Sequence, residues 1–369
     1  MMESTPVATP RTILPERNLD LLRAMAVMLV VFDHLFEGMD NHANFFKWAG
    51  QAGVQAFFVH TALVLMASLE RDGAPDRAGW IRRFYVRRAF RIYPLAWAII
   101  TMMIVFKMGG GLWADWQPLS FLQVAANYGL VMDLAGVGQV LPVMWSLPLE
   151  MEMYVVLPFC YLVARRKRGD GVALLYVAGL ALATLFIVGI QPSSRLTGMW
   201  RFQVFQFIPC FMMGVIAYWM LRRRMASPWK QLPSWTWILF ILADVIGLSR
   251  AWFTIQPHWV TRALFCAFIG LLIPFVAEAA PSIFTRAANR IATYSYGIYL
   301  IHPLALRLGY RGMKGQPLAL QLLAASAVLV VGCYVAYHYV EKPGIKLGQR
   351  LAGGRLGAPL PLESTAAAP

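Results

Sequence analysis

The chain has 369 residues, of which 59% are hydrophobic and only 14% charged, with a mean hydropathy of +0.56. No soluble domain of this length needs so much apolar surface. The net charge of +15 does not mark a nucleic-acid binder, because the Lys and Arg residues form short clusters between apolar runs without interleaved aromatics or a basic groove.

Residues 1–18 are polar and contain proline, with no apolar stretch or small-residue cleavage site, and read as a disordered cytoplasmic N-terminus. Apolar runs then recur, each long enough at 1.5 Å per residue to cross a hydrocarbon core of ~30 Å. Spans are predicted at 19–37, 48–69, 92–108, 145–164, 172–190, 202–221, 235–253, 258–278, 291–309 and 317–340, which makes an all-α polytopic transmembrane helical bundle of about ten spanning helices. A further stretch at 119–137 is interrupted by Gln123, Asn127 and Asp133, and reads as a re-entrant or interfacial segment on the outer side. The connections after the second, fourth, sixth, eighth and tenth spans are basic, which places both termini in the cytoplasm. The membrane domain is expected to cover 19–345, and the Gly-, Pro- and Ala-rich 346–369 to be a flexible cytoplasmic tail. Cys160, Cys210, Cys266 and Cys333 each fall in a different apolar run and read as packing residues, not as disulfides or metal ligands.

Ionisable residues inside these runs are the candidates for function, because a charge isolated in lipid costs roughly 2.5 kcal/mol or more. Arg23 and His34 in "LDLLRAMAVMLVVFDHLF" are eleven residues apart, on nearly the same helix face and about 16 Å apart along the axis, with Asp33 beside the histidine. In "MWSLPLEMEMYVVLP", Glu150 and Tyr154 share a face, while Glu152 points about 200° away, to the interface or behind the site. Ser295, Tyr299 and His302 follow at spacings of four and three and form one polar stripe. In "RRFYVRRAFRIYP", Arg87, Arg88 and Arg91 crowd one face. Their planar forks suit phosphate oxygens, and topogenic charge with anionic-lipid contact is the alternative. Of the outer-side tryptophans, Trp113 and Trp116 fit an interfacial belt, and Trp145 lines the Glu150 face.

Taken in order, the Arg23-x10-His34 spacing, "GVQAFFVHTALV" at 53–64, "RRAFRIYP" at 87–94, "WSLPLEMEMY" at 145–154, "SYGIYLIHPL" at 295–304 and "EKP" at 341–343 resemble the acyltransferase-3 family of integral membrane acyltransferases. That family includes enzymes that O-acetylate bacterial surface and secreted polysaccharides. The resemblance covers almost the entire chain. It implies His34 as the essential catalytic residue, Arg23 as its partner in the motif, Arg88 and Arg91 as the RxxR pair near the acyl donor, and Glu150 as the first carboxylate of "WSLxxEEQFY". The chain departs from the family at Met151 and Glu152, where Glu and Gln are common, and at 60–62, where "HTA" replaces an often-seen Ser-Gly.

The expected function is transfer of an acetyl group from acetyl-CoA to a hydroxyl of a glycan such as an O-antigen, exopolysaccharide or lipid-linked oligosaccharide, in a bacterial inner membrane. Arg23, Arg87, Arg88 and Arg91 would serve the donor. His34 would act as the base, and Asp33 or Glu150 would orient it. Trp145, Tyr154, Ser295, Tyr299 and His302 would line the substrate site. The expected partners are acetyl-CoA, the glycan acceptor and membrane lipids, with no metal and no nucleic acid. Direct transfer and a covalent acyl-histidine both remain open. A proton-coupled secondary transporter is the rival reading of the same buried charges.

Overall fold

The computed structural model describes residues 14–37, 44–71, 79–109, 115–166, 169–190, 202–226, 230–239 and 258–353. The regular secondary structure among these residues is helical, apart from one isolated bridge between Leu232 and Val276, and turns and irregular segments connect the helices. The helices are α1 (Glu16–Glu37), α2 (Asn44–Arg71), α3 (Trp80–Val105), the short α4 (Phe121–Gly129) and α5 (Met132–Ala135), and α6 (Ser146–Ala164), which a 3-10 turn at Pro142–Trp145 introduces. They continue with α7 (Gly169–Leu185), α8 (Val204–Ala226), α9 (His258–Leu272), α10 (Ile283–Tyr310), α11 (Leu318–Val335) and α12 (Lys342–Leu351).

Among the described residues, six helical stretches are long and apolar enough to cross a bilayer: Trp48–Arg71, Trp80–Val105, Pro142–Ala164, Gly169–Gly189, Val204–Met225 and Leu318–Leu351. The expectation of about ten spans is therefore matched in part. α1 is about 33 Å long, but even its most apolar stretch, 19–36, carries three charged residues, Asp20, Arg23 and Asp33. α10 is longer, and its Tyr, Ser and His stripe dilutes its hydropathy. α9 has only 15 residues, and most of 235–253 lies outside the described residues. The 119–137 segment folds as α4 and α5, of nine and four residues, too short to cross. A capping box at Ser120 and Gln123 starts α4, and Leu130 in the left-handed region ends it.

Three predicted boundaries move. Residues 16–18 belong to α1, because Asn18 is buried and its amide bonds the carbonyl of Ala277 and the N–H of Ala279. Residues 346–351 are helical, since Gly344 and Gly348 bring α12 against Phe90 and Pro94 of α3. The basic run at 80–91 is the first half of α3 itself and no loop.

Close helix contacts set the arrangement. α1 and α2 are antiparallel: a β-carbon on Gly53 would lie 2.4 Å from the Ala26 carbonyl oxygen. α1 and α10 run parallel, joined at Asp20–Asn289, Arg23–Ser295 and His34–His302. α6 is antiparallel to α3, with Tyr161 beside Trp80, and α8 packs on α2 at Gly214. One end of the bundle thus collects the start of α1, the end of α2 and the start of α3, and is the Arg-rich end. The four cysteines are buried thiols.

Candidate active site

A continuous buried polar column runs between α1, α2, α3, α6 and α10. At its Arg-rich end, Arg91 Nη1 lies 3.8 Å from Glu341 Oε2, and the Glu341 carboxylate is fully shielded from solvent. The π-helical turn Ala336–Glu341 between α11 and α12 is what brings Glu341 inward, against Gly297 of α10. One helical turn back toward the start of α3, the Arg88 Nη2 donates a long 3.4 Å bond to Ser68 Oγ, and Glu150 and Tyr154 of α6 face the same guanidinium. The Glu150 carboxylate accepts from the hydroxyls of Thr61 and Tyr154, with Arg23 and Arg88 as its neighbouring cations.

Arg23 Nε donates to Ser295 Oγ at 2.6 Å, and Ser295 passes its own hydrogen to the Ala292 carbonyl at 2.8 Å. His60 is buried close to Arg23. Further along, the hydroxyl of Tyr299 donates to the Val143 carbonyl at 2.7 Å and meets Ser146 Oγ at 2.8 Å. His34 and His302 close the column at the end opposite the arginines, their rings edge to face with centroids 4.9 Å apart. The sequence dictates this last pair locally. Pro303 has no N–H for the carbonyl of Tyr299, and the His302 ring turns back to the Ile298 and Tyr299 carbonyls.

The predicted residues therefore gather on one path: Arg23, His34, Arg88, Arg91, Glu150, Tyr154, Ser295, Tyr299 and His302. Three others lie differently. The Asp33 carboxylate sits against Gly50 of α2, where an added β-carbon would lie 2.2 Å from its Oδ2. At His34 Nδ1 the ring meets the Val30 carbonyl at 2.9 Å and His302 Nε2 at 3.4 Å. Arg87 has Arg88 and Arg71 as its nearest charges, toward the Arg-rich end. Trp145 packs among Phe58 and Phe207, with ring centroids 6.5 and 5.5 Å away. Glu152 pairs with Asp133 of α5, on the side of α6 away from Glu150. Trp116 is half-buried just before α4, and Trp113 lies outside the described residues.

Sequence reasoning missed Ser68, Thr61, His60, Ser146 and Glu341 as members of the column. His60 and Thr61 stood in plain view as the "HTA" departure, and Glu341 opens "EKP". Their depth and direction depend on how α2 and the π-turn pack. Among the described residues, no three His, Cys, Asp or Glu side chains come together as a metal site. At the rim near the end of α10, Arg311 bonds Asp115 and holds its carboxyl below the usual carboxylate range.

A column of this kind, with cations at one end and paired imidazoles at the other, can hold an anionic group and move a proton deep inside a helical bundle. Residues 16–338 match the profile of acyltransferase family 3, described as an acyltransferase domain, and the chain belongs to that family. It is 26% identical to Nodulation protein 10 of Rhizobium leguminosarum bv. viciae over 92% of this chain and 96% of that protein. It is 25% identical to YrhL of Bacillus subtilis (strain 168), named for peptidoglycan O-acetylation, over 88% of this chain and 54% of that protein. It is 23% identical to the peptidoglycan O-acetyltransferase OatA of Listeria monocytogenes over 90% of this chain and 56% of that protein. The chain thus spans about half the length of the two peptidoglycan-named relatives. No solved structure matches it significantly.

Proposed function

We propose that the protein is an integral membrane O-acetyltransferase that moves an acetyl group from cytoplasmic acetyl-CoA to a hydroxyl of a surface or secreted glycan. The observation that carries this reading is the continuity of the polar column from Arg88 and Arg91 to His34. Arg23 and His34 alone are about 16 Å apart along α1, so the chemistry sits well inside the bundle. The family and the names of its relatives support acyl transfer to a hydroxyl. The positive-inside rule supports the Arg-rich end as the cytoplasmic one, and the bacterial source of the relatives supports a bacterial inner membrane as the location.

The residues present suit an acyl-CoA donor. Arg87 and Arg88 offer forked donors to phosphate toward the Arg-rich end. Arg91 and Arg23 carry positive charge inward, and hydroxyls of Ser68, Ser295 and Tyr154 add neutral hydrogen-bonding sites beside the arginines. The donor supplies a thioester carbonyl as electrophile. His34, with Nδ1 held by the Val30 carbonyl, presents Nε2 as a base. It takes the proton of the acceptor hydroxyl as the oxygen bonds to the carbonyl carbon; the C–S bond then breaks, and the proton passes to the leaving thiolate. Glu150 balances Arg23 and Arg88 and keeps the column close to neutral.

The test is donor binding to purified protein in nanodiscs. Labelled acetyl-CoA should bind the wild type and bind at least tenfold more weakly to Arg88→Ala/Arg91→Ala, since loss of a charge-assisted phosphate contact is worth about 1.5 kcal/mol or more. A well-folded wild type that binds no acetyl-CoA would overturn the reading.

A further inference from the structure

The hydrogen bonds around the two imidazoles assign their protons. A carbonyl oxygen only accepts, so Nδ1 of His34, 2.9 Å from Val30 O, carries a hydrogen, and so does Nδ1 of His302, 3.0 Å from Ile298 O. Neutral His302 then has its lone pair on Nε2, and that atom lies 3.4 Å from Nδ1 of His34. The His34 N–H is therefore shared, with a short branch to Val30 and a longer one to His302. His302 is fully buried, where a second positive charge beside a protonated His34 would be costly.

We propose that His302 is a positioning residue for His34: a neutral acceptor that fixes the His34 ring with Nε2 bare and steadies the imidazolium formed when Nε2 takes a proton. The proposal deepens the acyl-transfer reading and rests on it for what His34 does. His302 itself neither gains nor loses a proton. Its lone pair receives a stronger hydrogen bond once the donor ring is charged, because charge-assisted bonds are roughly twice as strong as neutral ones. A carboxylate at this place would add a buried negative charge; a neutral imidazole accepts the same hydrogen bond without one.

Several other groups surround His34. Asp33 adjoins it on α1, with its carboxylate against Gly50 of α2. On α10, Tyr299 has its ring 6.3 Å from that of His302, and Tyr310 donates its hydroxyl to the Leu35 carbonyl. Arg307 lies further along the same helix, and the Arg311–Asp115 pair just past its end. All of these are unchanged in a variant at 302, so a comparison with wild type isolates the histidine pair.

Diethyl pyrocarbonate attacks only an unprotonated imidazole nitrogen, and peptide mass spectrometry reads its rate at His34 by itself, with or without acyl transfer. In nanodiscs, the midpoint of that rate against pH should fall by roughly half to one pH unit in His302→Asn, whose short amide cannot reach His34. The sign follows because removing an acceptor from the charged ring makes protonation harder. His302→Gln, whose amide oxygen reaches the former Nε2 position, should restore the wild-type midpoint. Acetyl transfer by His302→Asn at neutral pH should drop about tenfold, with its acidic limb displaced to lower pH. An unchanged midpoint would make His302 mere packing, and a raised one would make it a second cation; either result overturns the proposal. A wild type that transfers nothing would overturn the acyl-transfer reading, and the midpoints would still decide the pairing.

Discussion

Arg23 and Ser295 meet across the seam between α1 and α10, with the guanidinium Nε 2.6 Å from the serine hydroxyl. The contact explains how a helix with the apolar pattern of a membrane span retains an arginine: the charge points into the bundle and finds a hydroxyl from α10 and a carboxylate from α6. Ser295→Ala leaves a buried charged donor without this partner, and should lower stability by about 2 kcal/mol in detergent. Unfolding of the purified variant beside wild type measures it.

Arg91 and Glu341 form a second such link, between α3 and the π-turn. The glutamate is wholly shielded, so Arg91→Ala strands its charge and should cost roughly 3 kcal/mol or more. Arg91→Ala combined with Glu341→Gln should cost less than Arg91→Ala alone, because the stranded charge is gone. A double-mutant cycle on unfolding free energies gives the coupling, and simple additivity would show that the two charges do not interact.

Gly214 of α8 touches the backbone of α2, where a β-carbon would lie 2.3 Å from the Val59 carbonyl oxygen and 2.8 Å from Leu63 N. The obstacle is backbone and cannot swing aside. Gly214→Ala should destabilise by several kcal/mol, although alanine is the better helix former by about 1 kcal/mol. Gly189→Ala meets open space and should leave the melting temperature within about 2 °C of wild type or raise it.

Tyr299 holds the 3-10 turn before α6 through Val143 and Ser146. Removing the hydroxyl in Tyr299→Phe leaves a buried carbonyl unpaired and should cost about 1–3 kcal/mol. It should also slow acetyl transfer, because Ser146 and the entry to Glu150 lose their anchor; initial rates at saturating donor show this.

Much of the column was legible in the sequence because helix periodicity is fixed. Arg23 and His34 fall on one face after eleven residues, and the 295–299–302 stripe falls on another, so their convergence needed only that α1 and α10 pack in parallel. Glu341 was not legible. A regular continuation of α11 would aim it elsewhere, and a π-turn redirects it. The surroundings of Asp33 were not legible either, since its carboxylate is set against Gly50 of α2, whereas Glu152 lies against Asp133 on the side of α6 away from Glu150, as its spacing indicates. The span count is matched only in part because charges in α1 and a polar stripe in α10 keep these helices from reading as apolar spans; the residues that make the site are the ones that hide its helices.

The central claim is that His34, at the far end of an arginine-led column, moves the proton during acyl transfer. The most direct measurement is release of CoA and appearance of labelled acetyl ester on an added glycan by wild-type protein in proteoliposomes, beside His34→Gln of equal fold and equal acetyl-CoA binding. Transfer by the wild type and a loss of at least a hundredfold in the variant, with binding intact, is the expected result. Near-normal transfer by His34→Gln would contradict the account.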